Sequence, residues 1–147
     1  MSFAMEFDLS GIAEVQARIA QLHRLDQEDL LVQLSAAVES QTRRRIQSEK
    51  TSPDGTPWDD WSTTYADTRH GGNSLLQGEG DLLDSITSEV SGLTAEVGSN
   101  KVYAAIHQFG GEEVGINIPE RPYLGISDEN AHELEAIALD YLQELLP

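Results

Sequence analysis

The chain has 147 residues, no cysteine, and a formal net charge of −17 from 26 acidic and 9 basic side chains. That length fits one domain burying roughly 70% of the surface its unfolded form exposes, with disulfides and thiolate metal sites excluded. The charge disfavours sequence-independent binding to nucleic-acid phosphates, because each such contact needs a cation to displace counterions.

No apolar run approaches the ~20 residues of a membrane span. The N-terminus has no basic region followed by an apolar stretch. The expectation is a soluble, intracellular protein with no membrane partner. The acidity reads as solubility, as adaptation to a salt-rich source, or as a surface that passes close to DNA without adhering to it.

Along the chain, Phe3, Met5 and Phe7 alternate with small or polar residues, which predicts a short edge strand. Ser10-Gly11 opens a helix of about three turns, with Ile12, Val15, Ile19 and Leu22 as its apolar stripe. Asp26 caps a longer helix from Gln27 to Glu49, whose buried side is Leu30, Leu31, Leu34, Val38 and Ile46. Arg43, Arg44 and Arg45 fall near its C-terminal end, where the helix dipole favours cations. Residues 127–147 carry six acids and neither Lys nor Arg. This asymmetry either steers one subunit face onto another or marks a solvated helix face.

Thr51–Pro57 is a break built on Pro-Asp-Gly, since proline presets φ and glycine tolerates a positive one. Trp58 and Trp61 follow as core lids or interface anchors. Ser62–Arg69 reads as a short helix or an irregular arm, and His70–Ser74 as flexible. Leu75-Leu76 predicts a short strand, followed by a turn and one helical turn capped by Asp81. Ile86–Val90 and Leu93–Val97, separated by Ser91-Gly92, have the hairpin pattern, and Gly98-Ser99-Asn100 ends the second strand. Val102–Phe109 predicts a helix ended by Gly110-Gly111. Val114, Ile116 and Ile118 alternate as a further strand. Ile118-Pro119 and Arg121-Pro122 are extended, because a residue before proline is pushed out of the α region. Ser127 caps the last helix, with Leu134, Ile137, Ala138, Tyr141, Leu142 and Leu145 on its apolar face. The fold class is α+β. One domain, 1–147, has a helical N-terminal part (1–50), a sheet-containing part (75–125) and a C-terminal helix (127–146). A small, mostly antiparallel sheet packs against two N-terminal helices and the C-terminal one.

Catalytic chemistry is hard to find in these residues. His23, His70, His107 and His132 have no helical metal spacing. Asp59-Asp60 and Glu112-Glu113 are adjacent carboxylates, whose side chains usually diverge, and no calcium loop surrounds them. There is no Gly-x-Ser-x-Gly elbow, no phosphate-binding glycine loop and no zinc knuckle. No catalytic, metal or cofactor-binding residue is nominated, and no cofactor is called for. A carboxylate pair assembled only by the fold is the one enzymatic route left open.

Five segments taken in order carry a family resemblance: Pro53-Asp-Gly-Thr-Pro-Trp58; Leu76 with Gly80-Asp-Leu-Leu-Asp-Ser-Ile86; Val97-Gly98; Tyr103-Ala-Ala-Ile-His-Gln-Phe-Gly-Gly111; and Ile118-Pro-Glu-Arg-Pro-Tyr-Leu-Gly125. From about residue 27 to 146 the chain resembles the phage virion morphogenesis family, the tail completion proteins of Mu-like and P2-like phages and prophages. The resemblance implies a structural virion protein and not an enzyme. It would complete the head-proximal end of the tail for joining to a filled head, after assembly in the host cytoplasm. It further implies a ring, commonly a hexamer, with tail tube and neck or head-completion proteins as partners and DNA passing through the channel without specific binding. On this reading the interface candidates are Trp58, Trp61, His107, Phe109, Arg121 and Tyr123. The competing arrangement has Arg121 tied to a local carboxylate and the aromatics packed inside. Alternatives for function are a tail assembly chaperone absent from the particle and a carboxylate-dependent cell-wall hydrolase.

Overall fold

The computed structural model describes residues 3–8, 27–68, 75–78 and 80–145. The predicted helix with its stripe Ile12–Leu22, the Asp26 cap and the His70–Ser74 run lie outside these residues. Among the described residues the fold is α+β. Strands β1 (Phe3–Asp8), β2 (Thr87–Ser91) and β3 (Thr94–Ser99) form one antiparallel sheet in the order β1-β3-β2. The alternation of Phe3, Met5 and Phe7 thus does produce an edge strand. These three residues pair with Ser99, Val97 and Ala95 across the ladder and pack into the core.

The other face of the sheet is chemically odd. Glu6 and Glu89 both pair with Glu96, so three carboxylates stand in one row across the strands. Like charges directly opposite each other in a sheet are destabilising. Glu96→Gln is therefore expected to stabilise the protein by about 0.5 kcal/mol at low ionic strength, with the gain shrinking as salt screens the row. Thermal unfolding at two salt concentrations measures this, and an unchanged or lower midpoint for the variant at low salt contradicts it.

Helix α1 (Gln27–Arg44) lies across β2 and β3 and beside the C-terminal helix. Its buried positions Leu30, Leu31, Leu34 and Val38 follow the predicted stripe. The last turn widens into a π turn over Arg45–Glu49, closed by Lys50 in the left-handed region at φ 56°. The Lys50 ammonium bonds the carbonyls of Ile46 and Leu75, which holds the chain on both sides of the next loop. Short helices α2 (Thr63–Ala66), α3 (Asp81–Ser85) and α4 (Ala104–Phe109) follow. Helix α5 (Asp128–Leu145) is capped as expected, with the Asn130 N–H donating to Ser127 Oγ at 3.0 Å. The main core joins Val38, Ile46, Trp58, Ile86, Val97 and Tyr123. A second cluster seals Leu30 and Leu34 of α1 against Tyr141 of α5.

Several expected boundaries move. Leu75-Leu76 is a turn, and Leu76 has φ 59°, which no strand accommodates. The cap position of α3 is Gly80 at φ 93°, with Asp81 already inside the first turn. Strand β3 runs two residues past Val97, taking in Gly98, and ends at Ser99. Helix α4 starts at Ala104, leaving Val102 outside it. The expected strand over Val114–Ile118 is absent. Residues Glu112–Val114 form a 3-10 turn, and Gly115 follows at φ 75°. Val114 and Ile116 stay exposed and only Ile118 is half-buried, so no sheet face selects the apolar alternation there.

Candidate functional site

Two motifs far apart in sequence meet in space. The Thr51–Pro57 turn closes on itself through Ser52 N–H to Thr56 O at 2.8 Å and Gly55 N–H to Ser52 O at 2.9 Å. The Pro53 ring rests on Gly125, where an added Cβ would overlap Pro53 Cγ and lie 3.0 Å from Pro53 Cβ. The Arg121–Gly125 segment is thereby fixed from one side, and only glycine lets the proline come this near.

The rest of that segment is held by side chains that bond backbone. Gln108 Oε1 accepts the N–H groups of Tyr123 and Leu124 at 3.0 Å each, while its Nε2 donates to Leu124 O at 3.1 Å. Trp58 Nε1 donates to Pro122 O at 2.9 Å. Arg121 donates from Nε to Asp59 O at 2.8 Å and from Nη2 to Asp60 O at 3.2 Å, while its own N–H bonds His107 O at 2.7 Å. The buried Tyr123 hydroxyl donates to Ala104 O at 3.0 Å, and burial pushes this phenol up from its ordinary pKa.

Arg45 is the central brace. It is 1% exposed, and its guanidinium donates to Tyr123 O at 2.7 Å, Gly125 O at 3.3 Å and Asn130 Oδ1 at 2.6 Å. One side chain thus links α1, the loop and the cap of α5. Burial lowers its pKa, yet an arginine starts so high that it stays a cation at neutral pH. Its neighbours do other work. Arg44 reaches Glu133 of α5 at 3.0 Å and Glu49 at 3.2 Å, and Arg43 pairs with Glu39 and donates to Ile86 O at 2.7 Å. The contact between the arginine triplet and the acidic C-terminal helix therefore forms inside one subunit.

The six interface candidates separate by exposure. Trp58, Arg121 and Tyr123 are buried, so in this conformation they position the loop and offer little or no surface themselves. Arg121 is tied down as the competing arrangement required, but by backbone carbonyls and not by a carboxylate. Trp61 is half-buried and meets Tyr65 edge to face. Phe109 is 62% exposed, and its ring meets that of Phe3 edge to face with the centroids 4.9 Å apart.

His107 is half-buried, meets the Tyr103 ring edge to face, and keeps a buried Nδ1 with no hydrogen-bond partner. Burial first, and then the Arg121 cation, lower its pKa from the ordinary 6.5. The unfolded chain therefore binds this proton before the folded one. The stability this group contributes is present above pH 6.5 and is lost as pH falls from there through the lower folded value. His107→Gln is expected to flatten the fall in melting temperature between about pH 7 and 5.5. An unaltered slope in the variant places that loss elsewhere.

Of the nine large hydrophobic side chains exposed among the described residues, five fall between 102 and 116: Val102, Tyr103, Phe109, Val114 and Ile116. They are grouped along the sequence around α4 and the turn after it, where Gly111 brings the end of α4 beside residues 116–118, and exposed apolar side chains gathered in one region suit an interaction surface. Its base is stiff. Gly110 N–H bonds Ile106 O at 2.7 Å, Gly111 N–H bonds Ile118 O at 2.9 Å, and Ile116 N–H bonds Gly111 O at 2.9 Å. Gln108 and the Arg121 N–H to His107 O bond in turn tie α4 to the Arg45-braced loop.

Sequence reasoning missed Arg45, Gln108 and Asn130. Arg45 did carry a signal, since Leu31, Leu34, Val38, Thr42 and Arg45 recur at three- and four-residue spacing on the buried stripe. Among the described residues no group of His, Asp and Glu is placed to hold a metal. None of their helices is long and apolar enough to cross a membrane.

The phage virion morphogenesis family matches residues 7–143. Protein G of Escherichia phage Mu, whose name proposes a role in capsid assembly, is 34% identical over 109 residues, 69% of this chain and 70% of that protein. The Mu-like prophage FluMu G protein 2 of Haemophilus influenzae is 40% identical over 78 residues, 51% of this chain and 56% of the relative. The FluMu G protein 1 of the same organism is 26% identical over 150 residues, covering 99% of this chain and 98% of the relative. No solved structure matches the chain.

Proposed function

The chain belongs to the phage virion morphogenesis family, and from that premise we propose that it completes the head-proximal end of a phage tail as one subunit of a closed ring. A structural or assembly role in the phage particle comes with family membership and the Mu-like relatives. The observation that carries the finer reading is the exposed apolar strip Val102–Ile116 on a base braced by buried arginines. It is a surface built to be covered. Ring closure would use heterologous contacts. The sheet offers β1 and β2 as its two outer strands, on opposite sides of β3. The Glu6–Glu96–Glu89 row is the surface this reading turns toward the DNA channel, where it repels phosphates.

Light scattering of the purified protein, alone and with its tail tube protein, tests the reading. The expected mass is a ring-sized multiple of 16.1 kDa. A monomer under both conditions overturns the ring, and a lumen lined by a neutral or basic face overturns the channel assignment. The name of the phage Mu relative favours a second reading, an assembly factor acting on the head. Mass spectrometry of purified particles separates the two: a completion protein is present in each particle, and a transient factor is not.

A further inference from the structure

We infer that the apolar strip takes a cationic partner, namely an apolar segment flanked by Lys or Arg on a protein other than this chain. The inference rests on the docking role proposed above and names what docks. Val102, Tyr103, Phe109, Val114 and Ile116 supply the apolar contact. In their midst, the 3-10 turn presents Glu112 and Glu113, both exposed, between Phe109 and Val114. A partner that buries the apolar side chains must pass beside these two carboxylates. An acidic partner is repelled there and a basic one is steered in.

A second copy does not supply the missing cations from its described residues. Arg45 and Arg121 are buried on backbone and amide oxygens. Arg43 and Arg44 are paired with Glu39, Glu49 and Glu133 of their own subunit. Lys50 is spent on two carbonyls, and Lys101 has an interaction of its own. Among the described residues the surface a copy would offer is therefore predominantly acidic, and the whole chain carries a net charge of −17. Charge complementarity assigns the strip to a different protein and leaves copy-to-copy contacts to other faces.

Photo-crosslinking in cells producing the particle tests this. A benzophenone amino acid is placed at Phe109 in one variant, at Val114 in a second, and at Val32 on α1 as a control. Val114 is 66% exposed and takes no part in the Phe3–Phe109 ring contact, so that variant is informative even if the first disturbs folding. The expected result is an adduct at both strip positions and not at Val32, whose partner peptide comes from another chain and carries Lys or Arg beside apolar residues. Adding Glu112→Lys and Glu113→Lys to the Val114 variant should cut adduct yield about tenfold while the subunit still folds. Adducts joining two copies of this chain, partner peptides without cations, or a yield indifferent to the charge reversal each overturn the inference while sparing the docking role. No adduct at either position, with particles assembling normally, overturns the docking role itself.

Discussion

Arg45→Ala is expected to destabilise the protein by about 3–5 kcal/mol, lowering the melting temperature by roughly 10–15 °C. The residue sits in a run of three arginines, so the contrast is internal. Arg44 is half-exposed and bonds Glu49 and Glu133 at the surface. Such a pair is worth at most about 1 kcal/mol, so Arg44→Ala should barely move the transition. Loss of the buried guanidinium is different in kind, because Tyr123 O, Gly125 O and Asn130 Oδ1 would all lose a donor that water does not easily replace. Arg45→Lys should rescue little, since one ammonium cannot span the two loop carbonyls and the Asn130 amide with the fork geometry of a guanidinium. Thermal unfolding of the three variants measures the ranking. If Arg45→Ala melts with Arg44→Ala, the brace described above does not exist.

The second large effect is expected at Gly98. An added Cβ would overlap the Phe3 carbonyl oxygen and Ala4 Cα, with Ala4 Cβ at 2.7 Å. Two of these obstacles are backbone atoms of β1, so no rotamer change relieves the clash. Gly98→Ala should push β1 off β3, at a cost of about 3 kcal/mol. Amide hydrogen exchange locates the damage: β1 should lose protection while α1 and the β2–β3 hairpin keep theirs. Protection of β1 equal to the parent's would show that the sheet absorbs the methyl group. Because Phe3 supports one edge of Phe109, the same variant should loosen the base of the apolar strip.

Gly98 also shows where sequence reasoning stops. In one dimension a glycine followed by Ser-Asn is an end signal, and a strand end was the reasonable expectation. In the sheet it is a point of close backbone approach. The same residue serves either purpose, and only the position of β1 decides between them. The Val114–Ile118 segment fails for a related reason. Period-two alternation signals a strand only when a sheet face is there to bury every second residue, and here Val114 and Ile116 face outward. Phe3–Phe7 has the same pattern, and β3 was available to pair with it.

By itself the sequence determined the α+β class, the long helices and their buried stripes, the hairpin, the Ser127 cap, the lack of recognisable catalytic motifs and the family. These follow from periodicity, caps and turn residues, which act over a few residues and are legible without a fold. Tertiary structure alone decided which arginine of Arg43–Arg45 is buried, that Gln108 and Asn130 organise the loop, and that Trp58 and Tyr123 face inward while Phe109 faces out. Those outcomes depend on contacts across 15 to 89 positions of chain. Burial and hydrogen-bond satisfaction are properties of the packed whole, so a local pattern can nominate such residues but cannot assign their partners.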